Sequence, residues 1–460
     1  MQDLPNDPEY LKAVIQQLRE EIERLEAEVA ELRRRLGLDS TNSHKPPGSD
    51  GYRKKTLAPG LPKVKGRRSG GQEGHVGRTL TQVEHPDRID VHLPARCACC
   101  GRPFDADDAY EIVQRRQVFD LPEPRLEVTE HRIGQIECCG LAQTGNCPAD
   151  VTASVQYGPG VRALVTLLSV DHKMPLEQIC RLFEDLYGYD LNSGTVLDAL
   201  RRGAERAVPL EEAAKADLRQ AEVVHFDETG IRVAGRLQWL HTASTARETH
   251  LFVHEKRGRA ALDSGDSVLK DFHGTAVHDC WKPYFKYGNA RHVLCGAHLL
   301  RELAGLKEQG SLWAEEMHEF LLDLYKMPHP IPAAEQVRTH YRIILNLADR
   351  EEPPPRQGKR GRPKQSPGRN LLDRLRAHEE GVLAFALEPG VPFTNNQAER
   401  DLRGTKVKLK VSGSFRTGGG ARIYARIQAV ISTFRKRGEN VFSRLRELFS
   451  PRAAPLASQG

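Results

Sequence analysis

The sequence predicts a multidomain protein: an N-terminal coiled coil, a small cysteine-rich domain, a helical helix-turn-helix-like region and a C-terminal α/β domain. Three observations predict it. Apolar residues recur in steps of four and three from Leu11 to Leu36. Six of the nine cysteines fall between Cys97 and Cys147. From Ala221 onward, short apolar runs alternate with amphipathic ones. The expected boundaries are 1–38 for the coil, 39–77 for a basic flexible linker, 78–156 for the cysteine-rich domain and 157–205 for the helical region. The α/β domain follows at 215–436, with a basic insert at 352–369, and a closing helix and tail occupy 437–460.

At 460 residues the chain is long enough for two to four domains. Hydrophobic residues make up 39% of it, yet there is no apolar run of about eighteen residues, so no membrane span is expected. The first twelve residues carry no apolar signal core, which predicts a cytoplasmic protein. Nine cysteines in a large chain of this kind point to reduced thiols and metal, not to a disulfide framework. The net charge of +6 is unevenly spread. Residues 51–72 hold seven basic side chains and no acid, and residues 356–369 hold six and no acid. Such blocks are solvated segments or polyanion contacts.

Leu11, Ile15, Leu18, Ile22, Leu25, Val29, Leu32 and Leu36 form a heptad seam about four heptads long. A seam this narrow pairs with another chain, most simply in a homodimer; a helix packed on its own protein is the other reading. Residues 39–77 lose the apolar period and are rich in Ser, Asn, Pro, Gly and Lys, as expected of a tether or a non-specific phosphate contact.

Residues 84–154 contain strand-like runs at 89–91 and 126–136. Cys97 and Cys100 form a C-x-x-C pair; Cys138 and Cys139, then Cys147, follow about forty residues on. Two sulfur pairs across a long loop are how one tetrahedral Zn²⁺ holds a small domain with little core. Cys97, Cys100 and Cys139 are the first choices as ligands, then Cys138 or Cys147; reduced cysteines without metal are the alternative. Residues 158–202 read as helical, with amphipathic sets at 161–169 and 176–187, a turn at 188–192 and Ser193 as N-cap of a third helix through Ala199. Two short helices about a tight turn suit a helix-turn-helix, or an ordinary helical connector.

In the last domain, residues 222–227 read as a buried strand. Runs at 231–233, 238–243 and 250–254 read as its hairpin-connected neighbours, 267–272 as a helix and 274–279 as a further strand. Three strands, a helix and a strand open a ribonuclease-H-like sheet. Asp227 and Asp279 each end an apolar strand, where an unpaired carboxylate wants a cation. Glu228 should face the other side of the sheet. Glu399 is the third acid, on a helix capped by Thr394 or Asn395, where Asn395, Asn396, Glu399 and Arg403 share one face. Asp401 lies about 200° round that helix and should point away. Three converging carboxylates suit two Mg²⁺ (or Mn²⁺) ions about 4 Å apart and in-line attack on a phosphodiester.

These residues bring a family with them. Ser40-Thr41-Asn42-Ser43, Gly70-Gly71-Gln72-Glu73-Gly74-His75 and Val155-Gln156-Tyr157-Gly158-Pro159 lead to Asp227-Glu228-Thr229. Cys295-Gly296-Ala297-His298 and Asn395-Asn396-Gln397-Ala398-Glu399-Arg400 follow. Nearly end to end, the chain resembles the insertion sequence 66 family of bacterial transposases. The resemblance implies a DDE transposase with a ribonuclease-H-like fold and Asp227, Asp279 and Glu399 as its acids. It also implies terminal inverted repeats and target DNA as substrate, a nucleoid-bound state, and two small accessory proteins of the same element. Relative to the family pattern, the first C-x-x-C pair here carries an extra Cys99. The second pair, spaced in the family, is the adjacent Cys138-Cys139.

Several features have two readings each. Cys295 and His298 suit packing or metal; His225 and His278 suit structural hydrogen bonds or tuning of the acids. Trp281 and Tyr284 suit core packing or base stacking. Arg360, Arg362 and Lys364 lie in a hook-like Gly-Arg-Pro strip suited to a minor groove, or in a charged loop. Lys406, Lys408 and Lys410 alternate with Val407, Leu409 and Val411, which predicts a strand with one basic face for phosphate contact. A non-enzymatic DNA-binding regulator derived from a transposase and a ribonuclease-H-like nuclease are the rival functions.

Overall fold

The computed structural model of the chain describes residues 8–37, 42, 80–105, 107–148, 150–355 and 365–450. The linker apart from Asn42, the hook residues Arg360, Arg362 and Lys364, and the tail at 451–460 lie outside the described residues.

Helix α1 runs Pro8–Gly37. Its seam residues Ile15, Leu18, Ile22, Leu25 and Val29 are 45–55% exposed, so no described part of the chain covers them. Residues 80–155 contain one hairpin, β1 (Gln135–Cys138) and β2 (Leu141–Thr144). Cys139 (φ 54°) and Gly140 (φ 74°) make its turn. The strand expected at 89–91 does not form, and the one at 126–136 shrinks to its last two residues. Val113, Val118 and Val128 there are 78–92% exposed. An alternating pattern with neither core nor partner strand to bury it cannot hold a sheet.

The helical region is α2 (Pro159–Thr166), continued by a π-helical turn (Leu167–Asp171), then α3 (Leu176–Tyr187) and α4 (Ser193–Arg206). Gly188, in the left-handed region at φ 68°, ends α3. The cap of α4 is Asn192, not Ser193: its side chain accepts the Gly194 N–H at 2.7 Å. The helix also runs past Ala199, with Val196, Ala199 and Ala204 buried along it. Ile179, Phe183, Leu191 and Val196 close the small core of this region.

Helix α5 (Val208–Gln220) leads into the sheet. β3 (Val223–Val233) is one long strand, where the sequence suggests two runs, and β4 (Arg236–Ser244) and β5 (Thr249–His254) follow it antiparallel. The helix expected at 267–272 is a short 3-10 turn at Leu269–Asp271, preceded by the one-turn α6 (Arg259–Leu262). β6 (Thr275–His278) and β7 (Arg291–Leu294) then run parallel to β3. The order across the sheet is β5-β4-β3-β6-β7.

Alternation sorts the two faces. Val224, Phe226 and Ala276 point into a core with Leu218 of α5, Phe272 and Tyr284. Ile231 and Val233 point the other way, against α12 (Asn396–Ser412) and α13 (Gly418–Lys436), and Val277 and Val293 pack there with Ala384. Between β7 and α12 lies an all-helical layer: α7 (Gly296–Lys307), α8 (Leu312–Lys326), α9 (Ala334–Glu351), α10 (Pro367–Ala377) and α11 (Glu379–Leu387). It is centred on the fully buried Trp313, Met317, Tyr341 and Leu372. The last helix, α14 (Val441–Phe449), packs with α13, α2 and α4. Among the described residues no helix is long and apolar enough to cross a membrane.

Lys406, Lys408 and Lys410 lie on α12, not on a strand. The helix started at Asn396 keeps its period because Leu402 and Thr405 are buried and Leu409 packs against the core of the β3–β5 face.

The helical layer meets the sheet closely at Gly381, where a Cβ would stand 2.5 Å from the His292 carbonyl oxygen. Gly381→Ala should therefore destabilise the protein by about 1–3 kcal/mol, read as a lowered unfolding midpoint in denaturant. An unchanged midpoint would contradict this close packing.

Candidate active site

The sheet itself aligns the two aspartates. In the parallel pair β3–β6, His225 lies level with Val277, so two residues further on Asp227 is level with Asp279, the residue just past the end of β6. The sequence expects Asp227 to end its strand; instead β3 runs on to Val233, hydrogen-bonded to β4 along the way, and Asp227 stands in its middle. Asp227 has the parity of Ile231 and Val233, which pack against Leu402 of α12, and Asp279 that of Val277, which packs with Ala384 of α11. The backbone N–H of Glu228 donates to Asp227 Oδ1 at 2.8 Å, and that of Trp281 to Asp279 Oδ1 at 3.1 Å.

Helix α12 is pinned to β3 beside Asp227 by Asn395. This residue is 1% exposed, and its side chain does not cap the helix. Instead its Nδ2 donates to the Phe226 carbonyl at 2.7 Å, its Oδ1 is 3.0 Å from His225 Nδ1, and its backbone N–H donates to Cys295 Sγ at 3.1 Å. Glu399, one helical turn on, lies 3.9 Å from Arg301 and 4.0 Å from His298. Asp401 points away, as the helical angle predicts. It bonds Lys436 at 2.7 Å and the Ser432 and Thr249 hydroxyls, a buried polar knot on the other side of α12.

The electrostatics show that the acids feel one another. Burial pushes the Asp227 carboxyl well above its ordinary value, and Glu228, Asp279 and Glu399 push it further in that order. Burial also raises Asp279. Glu228 lies on the opposite face, as alternation predicts, but it too is raised, by burial and then by Asp279. Its carboxylate is held by Arg257 at 2.6 Å and by the Tyr284 hydroxyl. The Arg257 guanidinium stacks on Trp281 (4.3 Å) and Trp239 (4.9 Å). Sequence reading missed Arg257; a lone arginine in a loop gives no signal. Tyr284 is core, at 1% exposure. His278 is structural, fully buried beside His292 at 2.9 Å and with its pKa lowered by burial to about 3.

The helix redistributes the basic residues. Glu399, Arg403, Lys406 and Lys410 stand at i, i+4, i+7 and i+11, one stripe on α12. Arg403, Lys406 and Lys410 are exposed. Lys408 falls on the opposite side, and burial lowers its pKa.

Among the described residues, the three-residue group whose ligand atoms close within 4.8 Å is Cys295, His298 and Glu399; neither the three acids nor the cysteines of 97–147 close that tightly. Cys97 and Cys100 share a turn in which Cys97 N–H donates to the Arg102 carbonyl at 2.8 Å and Gly101 adopts φ 77°. Backbone N–H groups of Cys100 and Cys99 and the Cys100 side chain lower the Cys97 thiol pKa. Cys138 and Cys139 have their sulfurs 3.6 Å apart, and Cys147 is half-buried.

A group raised on folding stabilises the fold fully below its unfolded pKa and loses that contribution as pH rises through the folded value. In metal-free protein near pH 7.5, Asp227→Asn should therefore raise Tm by about 2–4 °C, the shift of ~1 kcal/mol in a fold of this size. The gain should shrink toward pH 4. A Tm at or below wild type near pH 7.5 would contradict the crowding of charge.

In comparisons with known proteins, the model of the Transposase IS66 family matches residues 154–423. The model of a family of unknown function, DUF6444, matches residues 1–81. No curated protein matches.

Proposed function

Because the chain belongs to the IS66 family of transposases, we propose that it binds the ends of an insertion sequence and catalyses metal-dependent cleavage and transfer of DNA strands at Asp227, Asp279 and Glu399. The observation that carries this reading is the placement of Asp227: it is level with Asp279 across the β3–β6 pair, and burial, then Glu228, Asp279 and Glu399, raise its carboxyl. Like charge around a buried carboxyl is relieved by cations, and an all-oxygen donor set suits Mg²⁺ or Mn²⁺. The ribonuclease-H-like reading of the domain is supported by three antiparallel strands flanked by two parallel ones, in the order third-second-first-fourth-fifth.

Asp227, Asp279 and Glu399 would hold two divalent ions, which would supply activation of a water or 3′-hydroxyl and stabilisation of the leaving oxygen. The chain's own residues do the positioning. Asn395 fixes the start of α12 against β3, and so the height of Glu399 over the aspartates. Arg257 balances Glu228 on the far face, so that a fourth carboxylate does not compete for the cations. Arg403, Lys406 and Lys410 continue the Glu399 stripe outward and suit the phosphate backbone of terminal repeats and target DNA; Arg360, Arg362 and Lys364 add a hook for the minor groove. Lys408 drops out of the phosphate-contact set, since it faces away.

The exposed seam of α1 suits a homodimeric coiled coil. One Zn²⁺ suits Cys97 and Cys100 with a second pair drawn from Cys138, Cys139 and Cys147; the support is the low Cys97 thiol pKa and the N–H groups aimed at its sulfur. Such a protein works in the bacterial cytoplasm on nucleoid DNA, with small accessory proteins of its element.

Asp227→Asn should abolish Mg²⁺-dependent cleavage of end-containing DNA, by at least about 10³-fold, while leaving end binding within about twofold in a gel-shift assay. A variant that still cuts removes Asp227 from the reaction. Deleting residues 1–36 should lower the particle mass in light scattering; an unchanged mass removes the seam as the contact between copies.

A further inference from the structure

Beside the acid centre lies a second donor set that the DNA-cutting reading leaves unused. β7 ends at Leu294, and Cys295 continues it by donating its N–H to the His278 carbonyl at 2.9 Å. Cys295 therefore stands just past the end of β7, level with Asp279, and is the residue that opens α7. His298 is one turn along that helix, and Glu399 approaches from α12. The three ligand atoms lie within 4.8 Å of one another. We propose that Cys295, His298 and Glu399 form a metal site for a thiophilic divalent ion such as Zn²⁺, and that this ion competes with the acid centre for Glu399.

Four features carry the proposal. First, one sulfur, one imidazole nitrogen and one carboxylate oxygen are a mixed set that Zn²⁺ takes and Mg²⁺ does not. Second, the spacing is close to what is needed. Tetrahedral zinc holds such atoms roughly 3.3–3.6 Å apart, so a contraction of about 1 Å completes three corners and leaves the fourth for water. Third, the sulfur is prepared to carry negative charge. It accepts the Asn395 N–H at 3.1 Å and belongs to the residue that opens a twelve-residue helix, at its positive end. Cys295 is fully buried, and its sulfur binds an ion as the thiolate. Binding then forms the metal–sulfur bond and releases one proton from Sγ to solvent. Fourth, the way in is open: the His298 and Glu399 side chains are 24% and 28% exposed. Without the ion, Arg301 at 3.9 Å compensates the Glu399 charge.

The site also gives a regulatory consequence. A carboxylate drawn toward Cys295 and His298 is drawn away from Asp227 and Asp279, so zinc occupancy acts as a brake on the Mg²⁺-loaded state. This competition rests on the proposed acid centre; the sulfur site does not.

The test uses the full-length protein with Co²⁺ as the probe, in excess Mg²⁺. Wild type should show a sulfur-to-cobalt charge-transfer band with tetrahedral d–d absorption. Cys295→Ser should lose one equivalent of that signal, leaving only what Cys97–Cys147 contribute. His298→Ala, at a partly exposed position that tolerates truncation, should bind that equivalent at least about tenfold more weakly; it carries the test if Cys295→Ser does not fold. The same spectrum and stoichiometry in both variants overturns the site. In a second arm, Mn²⁺ bound to the protein is followed by electron paramagnetic resonance while Zn²⁺ is added. Release of Mn²⁺ in wild type but not in Cys295→Ser supports the shared Glu399. Zinc uptake at Cys295 with Mn²⁺ retained overturns the competition. A wild type that binds no Mn²⁺ at all overturns the acid centre instead, while the cobalt signal at Cys295 is judged by itself.

Discussion

The structure turns on one electrostatic constraint: the Asp227 carboxyl is buried in the middle of β3, with Glu228, Asp279 and Glu399 all pushing its pKa further up. In water, neighbouring acids a few ångströms apart repel weakly; inside a protein the same pair is felt strongly. Asp227 bears the largest share, because burial, Glu228, Asp279 and Glu399 all act on it in one direction. A fold that keeps such a cluster accepts a loss of stability when empty, and recovers it by binding positive charge. The sheet explains why the cluster exists: parallel register makes the two aspartates level, and alternation gives them the same face.

Everything around the cluster restrains one degree of freedom. Asn395 ties α12 to β3 through a side-chain bond to the Phe226 carbonyl and to the end of β7 through Cys295 Sγ, so the helix carrying Glu399 cannot slide along the sheet. Asp401 and Lys436 hold its far side. Arg257, clamped between two tryptophans, keeps the fourth acid Glu228 occupied. The helical layer between β7 and α12 has its own core around Trp313 and Tyr341. It can therefore carry a long excursion of chain without loosening the strand tips on either side.

Much of this arrangement is legible from the sequence because charge in an apolar setting is informative. An aspartate after a run such as Val223–Phe226 stands out, though the strand does not end there but runs on to Val233, and the parity of 227 and 228 is enough to separate two adjacent acids onto two faces. The angle between Glu399 and Asp401 works the same way. Legibility fails where local pattern and tertiary context disagree. Residues 406–411 alternate like a strand, yet the helix begun at Asn396 runs through them because Leu402 and Thr405 are buried. Residues 89–91 alternate too, but have no core to face. Arg257 depends on contacts with Trp239, Trp281 and Glu228, and the placement of Cys295 and His298 with Glu399 on segments about a hundred residues apart; no local period encodes either.

The most direct test of the central claim is crystallographic. Crystals soaked in Mn²⁺ and measured at the manganese absorption edge should show anomalous density between the Asp227, Asp279 and Glu399 carboxylates, and none there in crystals of Asp227→Asn. Strong density elsewhere with none between the three acids, in crystals that bind Mn²⁺, would contradict the account.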